Sequence, residues 1–167
     1  MLTAEDVKRL LALVPLEPEG GWFAETYRAR VSLPPGTVPG QAAARPLATA
    51  IYYLVEPAAC SALHRLRADE VFHFYLGDPV EMLQLGPGAD GRVLRLGGDL
   101  AAGERPQVVV PAGTWQGTRL VAGGRWALLG TTVTPGFDAA DFELGRRADL
   151  VARWPAHHGW IEALTRG

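Results

Sequence analysis

The sequence predicts an all-β fold, a sandwich or barrel of many short strands with a short helix at each end. Two observations carry this. From Trp22 onward the apolar pattern changes to a period of two, and strand-like runs then follow one another without intervening helices. Turn residues separate those runs, among them Asp78-Pro79, Asp90-Gly91 and Gly123-Gly124.

The elements follow in order. Thr3 reads as an N-cap, with Glu5 and Asp6 in the first turn, where the helix dipole favours acids. Val7, Leu10, Leu11 and Val14 recur at helical spacing, and Pro15 ends the run. This short amphipathic helix is expected on the outside of something larger. In the strand that starts at Trp22, Phe23, Glu25 and Tyr27 fall on one face. Residues 33–46 hold four prolines and two glycines and read as a long loop, the kind that often covers a site. Strands are expected at 47–55, 60–66, 70–76, 79–85, 92–96, 107–110, 114–120 and 125–133. Pro135-Gly136-Phe137-Asp138 opens an acidic loop, and a closing helix is placed at 157–165.

Composition narrows the function classes. With 48% hydrophobic and 20% charged residues, the chain has the make-up of a globular protein able to bury a core. A net charge of -2 without basic runs points away from nucleic acid. No apolar stretch approaches the ~18 residues of a membrane span, and residues 1–14 are too charged for a signal peptide. The single Cys60 offers no internal disulfide, which fits a reducing cytoplasm, and it reads as a small packing residue. No Gly-x-Ser-x-Gly elbow, phosphate loop or zinc-type Cys pair is present.

The chemistry-bearing residues concentrate in Ser61-Ala-Leu-His64-Arg-Leu-Arg-Ala-Asp-Glu70-Val-Phe-His73-Phe-Tyr-Leu-Gly77 and in Pro111-Ala-Gly113-Thr-Trp-Gln116. This pair of strings resembles the two motifs of the cupin superfamily: His-x-His, a Glu, a Gly, then Pro-x-Gly-x-x-His. His64, Glu70, Gly77, Pro111 and Gly113 match in place, but Leu66 stands for the second His and Gln116 for the last. Longer strings, Glu19-Gly-Gly-Trp-Phe-Ala-Glu25-Thr-Tyr27-Arg28 and Pro135-Gly-Phe-Asp-Ala-Ala-Asp-Phe-Glu-Leu144 among them, resemble the fifth cupin family. That group has single-barrel members of largely unassigned role. The resemblance implies one cupin-type jelly-roll β-barrel domain over residues 1–167, with the barrel at about 20–135. It also implies a fold similar to the metal-free deoxysugar epimerases, and a homodimer.

Two of the four customary metal ligands are therefore absent, so the expected cofactor is none or a weakly held divalent metal on His64, Glu70 and Gln116. Oxygenase chemistry is disfavoured for want of a second His. Without a metal, His64 is the expected general base, Glu70 its partner and Tyr27 the acid, by analogy with the His and Tyr of the epimerases. Glu25, Phe72, Phe74 and Gln116 are expected to contact a small-molecule substrate. His73 differs from Glu70 by an odd number and is expected on the outer face, and Arg65 and Arg67 outward likewise. The expected function is an isomerase, epimerase or cyclase using acid–base chemistry, with a sugar derivative as one candidate substrate. A non-catalytic ligand-binding barrel and a metalloenzyme with a reduced ligand set are the alternatives.

Overall fold

The change of period at Trp22 marks where the chain enters its sheets. In the computed structural model, which describes residues 2–38, 40–88 and 90–166, the elements run in this order. Helix α1 (Ala4–Leu10) precedes strands β1 (Val14–Pro15), β2 (Trp22–Arg28), β3 (Ser32–Leu33), β4 (Arg45–Pro46) and β5 (Thr49–Val55). Then come β6 (Ser61–Arg65), β7 (Asp69–Gly77), β8 (Val80–Leu85) and β9 (Gly91–Leu96). Strands β10 (Gln107–Val110), β11 (Trp115–Leu120), β12 (Ala127–Thr134) and β13 (Glu143–Leu144) follow, then α2 (Arg147–Arg153) and α3 (His158–Ala163).

Two antiparallel sheets hold the site. One has the order β1-β2-β5-β12-β7-β10, the other β13-β6-β11-β8-β9. From β5 to β8, and again from β9 to β13, successive strands alternate between the sheets. That alternation is the jelly roll, and it has a direct consequence for function. Residues close in sequence on β6 and β7 face one another across the interior, so His64 and Glu70 can meet.

The apolar interior fills one part of the space between the sheets with Tyr53, Val55, Phe72, Val80, Met82, Leu96, Val108 and Leu129. Along β7, Glu70 and Phe72 are buried with Phe74 behind them, while Asp69 is exposed and Val71 and His73 are only partly covered. This is the expected parity. His73 sits on the outer face near Thr132 and Gln107, as anticipated.

The flanking elements cover the sheets from outside. Helix α1 starts in a capping box, in which the Asp6 amide donates to Thr3 Oγ1 and the Thr3 amide donates to the Asp6 carboxylate. Its Val7 packs with Leu13, Leu54, Trp126 and Leu128. The C-terminal helices seat Leu150, Trp154, Ile161 and Leu164 against Leu63, Leu83, Leu85 and Trp115. Helix α2, of 7 residues, was not expected. The segment 33–46, expected to be loop, is closed at its base by the pairing of β3 with β4. Gln41 ties it internally, its amide donating to the Pro34 and Ala43 carbonyls at 3.1 and 2.8 Å.

Candidate functional site

The site is built on three strands whose register is fixed by the sheets. On β6, His64 is paired with Gln116 of β11 on one side and with Leu144 of β13 on the other. On β7, Glu70 is paired with Val110 of β10 and Val133 of β12. His64, Glu70 and Gln116 are all buried, at 2%, 7% and 1% exposure. Their side chains form one connected group.

The hydrogen bonds assign its protons. His64 Nδ1 lies 2.8 Å from the Ala62 carbonyl, which can only accept, so Nδ1 carries the hydrogen and Nε2 presents its lone pair. Gln116 Nε2 donates to that lone pair at 2.7 Å and to Glu70 Oε2 at 3.2 Å. The amide thus bridges the imidazole and the Glu70 carboxyl, and its own Oε1 is left buried without a partner among the described residues. Phe142 stacks on the His64 ring at a centroid distance of 5.0 Å.

Burial is the main force on Glu70. Removal from water pushes its carboxyl up to about 7; His64 opposes the rise, Glu19 adds to it, and hydrogen bonds from Thr131 and Gln116 oppose it. A carboxyl poised there exchanges a proton readily at neutral pH.

Glu19 belongs to the site, and sequence reasoning passed over it. Its Oε1 accepts from Ser61 Oγ at 2.7 Å, and its Oε2 lies 3.7 Å from His64 Nε2, too long for a hydrogen bond but close for electrostatics. The signal was there in Gly20 and Gly21, both at positive φ, which turn the chain just after Glu19. A side chain at Gly20 would run into the Cys60 carbonyl, so the turn packs directly on the strand that begins at Ser61.

His64, Glu70 and Glu19 open onto a cavity of about 80 Å³. Leu16, Phe23, Ile51, Leu66, Val133 and the rings of Phe137 and Phe142 wall it, and Thr49, Thr131 and Glu25 complete it. Apolar walls with a few converging polar groups are what a small-molecule site needs. Phe137 and Phe142 come from the acidic segment after β12. That segment is held by bonds from the Gly136 amide to the Pro46 carbonyl and from the Phe137 amide to Thr49 Oγ1. A buried ion pair between Asp141 and Arg45 fixes it from the other side.

Three expected positions are corrected. Tyr27 is 56% exposed and lies outside the cavity, because a bulge between Glu25 and Tyr27 breaks the alternation and turns Tyr27 away. Phe72 and Phe74 point inward as parity requires, but they pack in the apolar interior and not on the cavity wall. Phe23, Phe137 and Phe142 take that place. Glu25 does reach the cavity, where Arg28 binds it with a two-pronged contact at 2.9 and 2.6 Å. Gln116 reaches the site through His64 and Glu70 and is not itself part of the wall. Arg65 and Arg67 point outward, toward Glu143 and the Gly40 carbonyl.

A divalent metal does not fit this donor set. Leu66 fills the place of a second imidazole, and the Gln116 amide hydrogen covers the one lone pair that His64 could offer. Among the described residues, no three His, Cys, Asp or Glu side chains are grouped to hold an ion. No described helix is long and apolar enough to cross a membrane.

Comparison with known proteins places the fold. A hypothetical protein from Leishmania major has 30% identity and a TM-score of 0.89, covering 99% of this chain and 100% of that one. A Shewanella oneidensis protein has 35% identity and a TM-score of 0.86, covering 99% of each chain. A cupin-2 domain protein of Rhodospirillum rubrum shares the fold at 15% identity and a TM-score of 0.61, covering 93% of this chain and 89% of that one. No curated protein matches the chain. Residues 5–145 match the family described as Cupin superfamily (DUF985), and the chain belongs to that family.

Proposed function

We propose that this cupin moves a proton on a small polar molecule held in the cavity, as an isomerase, epimerase or cyclase does. The observation that supports it best is the cavity-facing Glu70, buried, hydrogen-bonded and raised to about 7, beside the His64 imidazole. The roles differ from those the motif suggests. His64 Nε2 is already occupied by Gln116, whereas the Glu70 carboxylate has lone pairs to spare. Glu70 is therefore the proton carrier. His64, fixed by the Ala62 carbonyl, orients Gln116 and through it Glu70. In the reaction, the Glu70 carboxylate takes a proton from a carbon next to a carbonyl, and the resulting acid returns one to the same or a neighbouring atom.

A non-catalytic ligand-binding cupin is the second reading. It is favoured by the same Gln116 contact, which satisfies His64 before any ligand arrives. Incubating the protein in deuterated water with isomerisable sugars and other small carbonyl compounds separates the two. Deuterium entering a carbon position with wild type, and not with Glu70→Gln, supports the enzyme. A compound that binds tightly without exchange supports the binder. A homodimer is also proposed. Leu10, Tyr75 and Leu76, exposed at 61%, 47% and 49% between α1 and the outer sheet face, support self-association, which sedimentation would test.

A further inference from the structure

We infer that the cavity selects a small organic ammonium, an amine-bearing molecule, over neutral or anionic ones. The inference rests on the reading of this cavity as a ligand site and concerns what enters it. Glu19, Glu25 and Glu70 are the carboxyl groups on its wall, beside His64, and among the described residues neither Lys nor Arg lines it. Of the carboxylates, Glu25 is already neutralised by Arg28. Glu19 and Glu70 have no Lys or Arg partner among the described residues; their contacts are Ser61, Thr131, Gln116 and the imidazole.

His64 is the basic side chain that faces these two carboxyl groups, with its Nε2 3.7 Å from Glu19 Oε2. With Nδ1–H on the Ala62 carbonyl, a second hydrogen on Nε2 would face the donating Gln116 amide at 2.7 Å. The Nε2 position is thus taken by Gln116 and bonds neither carboxyl directly. The cavity therefore places two carboxyl groups among apolar walls with no Lys or Arg beside them among the described residues, and charges drawn out of water need a partner. An ammonium group supplies it, with charge-assisted hydrogen bonds to Glu19 and Glu70. The rings of Phe23, Phe137 and Phe142 suit the same ligand, since a cation is drawn to an aromatic face. An incoming carboxylate or phosphate would meet carboxyl groups and, among the described lining residues, no Lys or Arg.

Propylammonium, propan-1-ol and propionate are matched probes small enough for the cavity. Each would be titrated into the full-length protein at equal ionic strength and at a pH above the Glu70 midpoint, reading the backbone amide shifts of Thr49, Thr131 and Phe142. Propylammonium should bind at least about tenfold tighter than propan-1-ol, and propionate should not bind. Glu19→Gln should remove that preference and leave propan-1-ol unchanged; Glu19→Asp, which keeps the charge, should retain part of it. Propan-1-ol binding as well as propylammonium would overturn the inference while leaving the cavity a ligand site. No response to any probe would overturn both.

Discussion

The two ends of the barrel interior are built from the same alternating strands yet do opposite things. Strand β7 passes through both: Phe72 is sealed among Tyr53, Met82 and Leu129, and two residues earlier Glu70 opens onto the cavity. The apolar end has only side chains that gain by leaving water. At the mouth, His64, Glu70 and Gln116 are buried at a cost that their mutual hydrogen bonds offset only in part, since Gln116 Oε1 has no partner among the described residues. The difference teaches where selection for stability ends and where an exchangeable proton begins.

Substitutions should separate the two ends cleanly. The largest effect is expected for Phe72→Ala, a loss of about 3–5 kcal/mol in denaturant unfolding, with the folded fraction keeping its cavity chemistry. Glu70→Gln should do the reverse, lowering proton exchange by about 10²–10⁴-fold with stability at neutral pH undiminished.

The same carboxyl should set a pH dependence. Its native pKa is raised from 4.5 to about 7, so the folded chain holds the proton more tightly than the unfolded one between those values. The stabilisation is complete below 4.5 and is lost as pH rises through 7, a fall on the order of 3 kcal/mol. Unfolding curves of Glu70→Gln should lack that slope, while those of Phe72→Ala keep it.

Smaller effects bound the mouth. Arg28→Ala breaks a half-exposed ion pair with Glu25 and should cost less than about 1 kcal/mol, checked by thermal unfolding. Tyr27→Phe should leave exchange and stability unchanged, because the bulge places its hydroxyl outside the cavity. A Tyr27→Phe variant that lost exchange would restore the epimerase-like pairing of His and Tyr.

Much of this was legible in the sequence because strand parity is a strong signal. The strands and the outward His73 follow from alternation and turn spacing, and the resemblance to the cupin motifs implied the convergence of His64, Glu70 and Gln116. What alternation cannot show is where it breaks. The bulge at Thr26 leaves Glu25 in the cavity and expels Tyr27, and no residue there announces it. Glu19 was hidden for a different reason: it lies on a turn, where no period applies, and only the two glycines after it hint at the tight approach to β6. Phe137 and Phe142 sat in a segment whose acids drew the eye. Asp138 instead caps the 3-10 turn Ala139–Asp141, and Asp141 pairs with Arg45, between the two rings in sequence.

The central claim is that Glu70 is the proton carrier of the mouth. Carbon NMR of its side-chain carboxyl across a pH titration, assigned by the signal that disappears in Glu70→Gln, tests it most directly. The account expects a midpoint near 7. A midpoint at the ordinary 4.5 would contradict it, leaving a carboxylate that is always ionised at neutral pH and serves only to bind.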